Sequence, residues 1–262
     1  TNDSHAWNKN KDHNFIYNKL WVAMSQEIPT GPMGIYPEKY PVIFKPIINL
    51  FGMSRGFKII RNEEEYDKNI KDGFFWEQFI EGEHFCVDLI VVKGQIKFYS
   101  ALKSYPDGEG GFIYHESIPN YKLPEHIRYW IKLHFAKYTG CLNLEIINGL
   151  IIEGHLRLNG DFHLYDESFV LEMEKLFLNG KWNLNYKIKK KYLFPIFVKK
   201  DFSDEDVEIM KNKINNFIIN KDVSTINFDN INSKCQSEWK SRLSMIETEN
   251  PDTLKELYDY FH

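Results

Sequence analysis

Four side chains capable of acid–base or metal chemistry lie close together in residues 140–166, GCLNLEIINGLIIEGHLRLNGDFHLYD. Glu153, His155 and Arg157 occupy every second position, and this spacing places them on one face of a β-strand. Glu145 lies in the preceding apolar run, which also predicts a strand. The two strands are expected to bring carboxylates, an imidazole and a guanidinium together.

The turn between these strands decides whether the two polar rows face the same side. Asn148-Gly149 is typical of a hairpin turn, but a loop of only these two residues sets the polar row of one strand against the apolar row of the other. A three-residue loop, Ile147-Asn148-Gly149 with Gly149 in the left-handed region, removes the mismatch. We predict this loop, with Glu145 and Glu153 on one face.

Two carboxylates on one face repel each other unless a cation joins them. Their oxygen atoms suit a hard ion such as Mg²⁺ held together with a phosphate. The alternative is an ordinary solvated face of an antiparallel sheet, which accommodates Glu, His and Arg without any ligand. Both interpretations stay open on these residues alone.

The composition excludes several classes of protein. The 262 residues are 43% apolar and 27% charged, as in one large or two small globular domains. A net charge of −4 argues against nucleic acid as the main partner, and we interpret the basic run 187–191 as solvated. Three cysteines without CxxC spacing indicate neither zinc nor disulfides. No apolar run approaches the roughly 20 residues of a membrane helix, and we predict a cytoplasmic location.

The first half of the chain supplies a helix and a short lysine-bearing strand. Apolar residues at helical spacing predict a helix over about 15–27. The apolar run 41–46 predicts a strand ending at Lys45, whose ammonium either reaches solvent or meets an anion. Residues 49–56, which include Ser54, either wrap a phosphate with backbone amides or form a plain surface turn.

The remaining elements follow from periodicity and capping signals. Residues 74–104 predict three strands, and the glycine-rich segment 105–117 predicts a mobile loop of the kind that covers a site. Further helices are predicted at 62–71, 124–140, 169–180, from Ser203 onward, at 238–247 and at 251–261, with a strand at 192–200.

In this order and spacing, the motifs of residues 14–166 resemble the ATP-grasp superfamily. NKLWVAMSQEIPTGP resembles its opening helix and connector, and YPVIFKP resembles its lysine strand. NLFGMSRGFKIIRNEEEY resembles its phosphate loop and following helix. FWEQFIEGEHFCVDLIVVKGQI resembles its hinge and ribose-binding strand, and GCLNLEIINGLIIEGHLRLNGD its paired metal-ligand strands. The resemblance implies an α+β ATP-grasp fold, in which two α+β lobes with mainly antiparallel sheets grip ATP.

Four segments follow from this resemblance. Residues 1–13 are expected to be a flexible lead, and 14–76 a small lobe with its preceding helix and connector. Residues 77–200 are expected to form the large lobe, and 201–262 a helical C-terminal extension. Members of the superfamily usually carry a further domain before the core. We therefore expect the acceptor site to come from the C-terminal part, from another chain or from a segment outside this sequence.

The resemblance also assigns site residues. The ATP contacts it implies are Lys19 and Lys45 on the phosphates, Ser54 in the phosphate loop, the hinge residues Glu77, Gln78, Phe79 and Ile80 on the adenine, and Glu83 on the ribose. Arg157 is expected over the transferred phosphoryl group, acting in catalysis with Lys45. The candidate ligands for Mg²⁺ are Glu145, Glu153, His155 and Asn159.

His155 departs from the superfamily pattern, which commonly has Asn at this position. Neutral imidazole is a poor ligand for Mg²⁺. Three explanations stay open: Asn159 replaces the missing ligand, a second metal site is weakened, or His155 serves the substrate.

The activity implied by the resemblance is an ADP-forming ligase that uses ATP and Mg²⁺. ATP phosphorylates a carboxylate, and an amine then displaces phosphate from the acyl phosphate. The alternatives are a kinase of a small acceptor on the same core and a nucleotide-binding scaffold without catalysis. The expected partners are small-molecule or peptide acids and amines; their identity and the oligomeric state are left open.

Overall fold

The computed structural model is an α+β structure with two antiparallel sheets, one of four strands and one of eight. It describes residues 2–51, 56–108, 111–159, 165–199, 202–219, 221, 223, 225–228 and 240–261. No helix within these ranges is long and apolar enough to cross a membrane. The predicted α+β class with two mainly antiparallel sheets is confirmed.

The helices are α1 (Asp3–Lys9), α2 (Lys19–Met24), α3 (Glu63–Lys68), α4 (Glu125–His134), α5 (Glu167–Asn179), α6 (Asp204–Ile218) and α7 (Pro251–Phe261), with a 3-10 helix at Lys11–Tyr17. The strands are β1 (Thr30–Pro32), β2 (Val42–Pro46), β3 (Lys58–Ile60), β4 (Phe74–Gln78), β5 (His84–Val92), β6 (Gln95–Pro106), β7 (Phe112–Ser117), β8 (Thr139–Ile147), β9 (Leu150–His155), β10 (Tyr192–Lys199), β11 (Thr225–Phe228) and β12 (Lys240–Thr248).

The small sheet has the order β1–β4–β2–β3 and carries α3 on one face. Helix α3 begins as its capping signal predicts, because the Asn62 side chain accepts from the Glu65 N–H and Glu65 accepts from the Arg61 N–H. Tyr66 of α3 is fully buried against Phe44 of β2. The sheet continues to the end of β4, so the predicted lobe boundary between residues 76 and 77 falls inside a strand.

The large sheet has the order β11–β12–β10–β7–β6–β5–β8–β9. Alternation along β5 separates its two faces: Val87 and Leu89 join the core under α4, whereas Ile90 joins the core under α5. Between these apolar positions, Cys86 and Asp88 lie on the same face as Ile90. This second face carries the polar groups of the candidate site.

Residues 1–13 were expected to form a flexible lead, but residues 3–17 cover the edge of the large sheet. Ala6 of α1 and Ile16 of the 3-10 helix are buried in the main core. Gln26, just after α2, both accepts from the Ile151 N–H and donates to the Ile151 carbonyl. These bonds satisfy the outward backbone groups of Ile151 on β9, which is the edge strand of the sheet within the described residues.

Two predicted segments have a different secondary structure. Residues 238–247 were predicted as a helix, but 240–248 form β12, so the C-terminal extension supplies strands β11 and β12 as well as two helices. Strand β12 is flanked on both sides and is buried from Leu243 to Thr248. The predicted loop 105–117 is also shorter, because β6 runs to Pro106 and β7 begins at Phe112.

Candidate active site

The β8–β9 hairpin has a two-residue turn rather than the predicted three-residue loop. Asn148 and Gly149 have φ angles of 49° and 78°, and positive φ at both central positions is the mark of a type I′ turn. Ile147 pairs directly with Leu150 across this turn. The predicted loop Ile147-Asn148-Gly149 is therefore wrong.

A bulge in β9 nevertheless produces the predicted alignment. Ile146 pairs with Ile151 and the next residue back, Glu145, pairs with Glu153, so Ile152 is an extra residue on β9. The two-residue turn alone would place Glu145 opposite Ile152. The extra residue shifts the pairing by one position, so Glu153 lies opposite Glu145 instead. The prediction that Glu145 and Glu153 lie on one face is confirmed.

Glu145, Glu153 and His155 form one cluster, in which one ligand atom from each lies within 4.8 Å of the others. Burial would raise the pKa of Glu145, but His84 next to it, with His155 and Lys19, outweighs burial and lowers this pKa to about 2. His84 Nε2 lies 3.3 Å from Glu145 Oε2, and Lys19 Nζ lies 2.8 Å from Glu153 Oε2. Glu145 is thus ionised at neutral pH, and Glu153 is in contact with the Lys19 ammonium.

His155 is buried and held between two carboxylates. Its Nδ1 lies 3.1 Å from Asp3 Oδ1, and its Nε2 lies 3.5 Å from Glu153 Oε1. Asp3 Oδ2 also accepts from Arg157 Nη2 at 2.8 Å, and the Tyr17 hydroxyl donates to Asp3 Oδ1 at 3.2 Å. Burial acts to raise the pKa of Asp3, but His155 and Arg157 together hold it well below the usual range.

Asp3 was missed by the sequence analysis, which placed it in the flexible lead. Its partners His155 and Arg157 lie 152 and 154 positions away along the chain. No local motif marks such a pairing. The only available signal is the Asn2 cap and the short helix that follows it, which hold Asp3 in a regular first turn.

Lys45 of β2 meets an anion rather than reaching solvent. Its Nζ lies 2.8 Å from Glu77 Oε1, and both side chains are at least 90% buried. Burial raises the pKa of Glu77, an effect that Lys45 and Lys19 only partly offset. Glu77 Oε2 has no hydrogen-bond partner within the described residues. Because Lys19 and Glu153 also act on Glu77, the Lys45–Glu77 pair borders the cluster on β8 and β9.

The predicted hinge residues connect the two sheets, but two of their amides are already engaged. The Gln78 N–H donates to the Pro29 carbonyl at 2.8 Å, and the Phe79 N–H donates to the Pro41 carbonyl at 3.2 Å. The Ile80 N–H makes no hydrogen bond to another described residue. Ile80 packs in an apolar group formed where α2, β4 and β9 meet, with Leu20, Ala23, Ile28, Ile47, Phe75 and Leu150.

Glu83 follows the hinge and is exposed, with its carboxylate paired to Lys103 Nζ. Its backbone carbonyl accepts from the Asn148 N–H at 3.3 Å, so the segment after the hinge is tied to the β8–β9 turn. Ser54 lies outside the described residues.

Asn159 does not join the cluster of Glu145, Glu153 and His155. Its N–H donates to Asp88 Oδ1 at 2.6 Å, and its side-chain amide points to Cys86 Sγ at 3.4 Å. It belongs instead to a neighbouring polar group centred on Asp88.

Asp88 is a buried carboxylate that sequence analysis also missed. It accepts from Asn143 Nδ2 at 2.8 Å and from the Tyr165 hydroxyl at 2.9 Å. Burial raises its pKa to about 6, although the bonds from Asn159, Tyr165 and Asn143 act in the opposite direction. The sequence did contain one signal for this site, because Asp88 is an ionisable residue between the apolar Val87 and Leu89 of a predicted strand. Asn143 of β8 lies opposite Asp88 of β5 on one side and opposite His155 of β9 on the other. The polar group around Asp88 therefore adjoins the cluster of Glu145, Glu153 and His155.

Comparisons with known proteins give a fold but no sequence relative. No protein-family model and no curated protein matches the sequence. The structure is similar to L-amino acid ligase from Bacillus licheniformis, with a TM-score of 0.63 and 14% identity over 94% of this chain and 70% of that one. It is also similar to N5-carboxyaminoimidazole synthetase from Staphylococcus aureus complexed with ADP, with a TM-score of 0.68 and 12% identity over 95% and 72% of the two chains.

A third similar structure contains magnesium. It is the biotin carboxylase domain of Hydrogenobacter thermophilus 2-oxoglutarate carboxylase in complex with MgADP and bicarbonate, with a TM-score of 0.58 and 14% identity over 94% of this chain and 64% of that one. At these identities, the similarity shows a common fold.

Proposed function

Because the chain has the ATP-grasp fold, we propose that it is an ATP-dependent ligase that activates a carboxylate as an acyl phosphate and transfers the acyl group to an amine. The central observation is the convergence of charged groups from three parts of the chain. Lys19 contacts Glu153, Lys45 contacts Glu77, and both lysines act electrostatically on Glu77. Cations and carboxylates so arranged between two sheets suit a nucleoside triphosphate with a divalent ion.

We place the nucleotide between the lobes. We place the purine ring beside Ile80, at the edge of its apolar group, where the Ile80 N–H is the hinge amide free to donate to it within the described residues. Glu83 would accept from the ribose hydroxyls, after leaving Lys103. Ser54 would lie in the phosphate loop. These assignments follow the resemblance residue by residue.

The donor set fits a divalent cation through the two carboxylates, and His155 adds a nitrogen atom. When bound, Mg²⁺ would neutralise the charge of the phosphates. Lys45 and Lys19 would bind phosphate oxygens, exchanging their carboxylate partners for the nucleotide. Arg157, held by Asp3, would stabilise the transferring phosphoryl group.

The two chemical steps balance without another reactant. A carboxylate oxygen of the acid attacks the γ-phosphorus, and the bond to the β–γ bridging oxygen breaks, so ADP leaves. The amine nitrogen then attacks the acyl carbon, the carbon–oxygen bond to phosphate breaks, and phosphate leaves with that electron pair. The nitrogen loses a proton to solvent. Shielding from water matters because an acyl phosphate is readily hydrolysed.

Hydroxylamine trapping tests the proposal. Incubation with ATP, Mg²⁺ and a panel of acids is expected to yield a hydroxamate and ADP for at least one acid. A stable phosphorylated product without hydroxamate would indicate a kinase. ATP binding without turnover would indicate a scaffold, and AMP as product would contradict the ligase and the kinase alike. The Glu174→Gln variant, which changes an exposed carboxylate on α5, serves as the matched control for site variants.

A further inference from the structure

His155 is fixed in one orientation by groups from the start of the chain. Its Nδ1 lies 3.1 Å from Asp3 Oδ1, so Nδ1 carries the hydrogen and donates it. Asp3 is itself held by Arg157 and by the Tyr17 hydroxyl. In neutral His155 the lone pair is therefore on Nε2, which lies 3.5 Å from Glu153 Oε1 and makes no hydrogen bond within the described residues.

The two carboxylate oxygens of Glu153 face different neighbours. Oε2 pairs with Lys19 Nζ, whereas Oε1 faces His155. Oε1 is thus available to a cation whether Lys19 stays on Oε2 or moves to a phosphate oxygen. The three ligand atoms lie within 4.8 Å of one another, and ligands about 2.1 Å from a shared ion lie within about 4.2 Å. Small side-chain shifts would close the site.

We infer that His155 supplies a nitrogen ligand to the cation of this site, with Asp3 as its positioning residue, and that the site therefore favours Mn²⁺ over Mg²⁺. This inference rests on the proposed function, since the cation is the one held with the nucleotide. Carboxylate oxygens accept either ion, whereas an imidazole nitrogen favours first-row transition metals over Mg²⁺. A carboxylate that orients a metal-bound imidazole is a common outer partner.

Pulsed electron paramagnetic resonance of bound Mn²⁺ tests the nitrogen ligand directly. With Mn²⁺ and a non-hydrolysable ATP analogue, the unmodified protein is expected to show echo modulation from a directly bound ¹⁴N. His155→Asn, which replaces the imidazole with a shorter amide side chain, should lose that modulation. Mg²⁺ competition should show that the preference for Mn²⁺ falls about tenfold or more in this variant.

The positioning role of Asp3 has its own variant. Asp3→Asn is expected to weaken Mn²⁺ binding about tenfold while Mg²⁺ binding changes less. Asp12→Asn, an exposed carboxylate in the neighbouring 3-10 helix, is the control and should match the unmodified protein. Circular dichroism establishes whether each variant is folded. If His155→Asn does not fold, the nitrogen modulation of the unmodified protein and the Mn²⁺ affinity of Asp3→Asn still test the inference.

The outcomes separate the two claims. Mn²⁺ that binds with the nucleotide analogue but shows no nitrogen modulation would overturn this inference while leaving the ligase proposal intact. An equal Mn²⁺ to Mg²⁺ preference in His155→Asn and the unmodified protein would also overturn it. Failure of the unmodified protein to bind nucleotide with either ion would overturn the proposed function and this inference together.

Discussion

Glu145 lies directly opposite Glu153 in the β8–β9 ladder because one extra residue, Ile152, lies in β9 between the turn and Glu153. The Asn148-Gly149 turn alone would set Glu145 opposite an apolar residue. The bulge places both carboxylates on the polar face of the large sheet. The candidate cation site thus depends on which residue of β9 lies opposite Glu145, and with Ile152 present the bulge makes that residue Glu153.

Deleting Ile152 tests this relationship. Without the extra residue, the ladder runs from Ile147–Leu150 and Ile146–Ile151 straight to Glu145–Glu153, so both carboxylates keep their face. We expect nucleotide-dependent Mn²⁺ binding to survive the deletion, measured by titration. A folded deletion variant that no longer binds the ion would show that the bulge itself is needed.

Glu153→Gln is expected to abolish metal-dependent ATP turnover, because a charged ligand is lost where the phosphoryl transition state depends on it. Stability should fall by about 1–3 kcal/mol, since Lys19 loses its ionic partner and keeps only a neutral acceptor. Turnover and urea unfolding measure the two effects. Glu174→Gln should change neither; turnover near the unmodified level in Glu153→Gln would exclude Glu153 as a ligand.

Lys45→Met, compared with a double variant that also changes Glu77, distinguishes the contribution of Lys45 to folding stability from its contribution to catalysis. Removing the ammonium leaves Glu77 buried without its partner, and we expect a loss of about 3 kcal/mol in unfolding free energy. The double variant Lys45→Met, Glu77→Gln should recover much of this stability, because no unpaired charge remains. Both variants should lack ATP turnover. A double variant that turns over ATP normally would remove Lys45 from the catalytic set.

Asp88 predicts a pH dependence of stability. Its pKa of about 6 exceeds the ordinary value of 3.8, so the folded state holds the proton more tightly and loses stability as pH rises from about 4 to above 6. In Asp88→Asn this loss is absent, and the variant should gain roughly 3 kcal/mol relative to the unmodified protein across that window. Urea unfolding at pH 4, 5, 6 and 7 measures the difference, and a constant difference would contradict the prediction.

Local signals were sufficient for several elements. The cap at Asn62, the capping box of Ser203 and Asp206, and the end of α5 at Gly180, whose φ is 69°, all depend on residues within one turn of each other. The alternation that placed Glu153 and His155 on one face of β9 is equally local. Such features can be derived from sequence alone.

Long-range features could not be predicted in this way. The contact of Asp3 with His155 joins residues 152 positions apart and has no periodic signature. Strand β12 is buried on both faces, so it lacks the alternation that distinguishes a strand from a helix. Gly154 of β9 packs so closely on Ile16, 138 positions earlier in the chain, that a Cβ on Gly154 would lie 2.5 Å from the Ile16 side chain.

Oxygen-isotope transfer from the acid to phosphate tests the central claim most directly. An acid identified by hydroxylamine trapping, labelled with ¹⁸O in its carboxylate, is incubated with ATP, Mg²⁺ and an amine acceptor, and the released phosphate is analysed by mass spectrometry. Activation as an acyl phosphate predicts one ¹⁸O atom in each phosphate released during ligation, because the acid oxygen that attacked the γ-phosphorus leaves with it. Phosphate without label, formed together with the ligated product, would contradict the account.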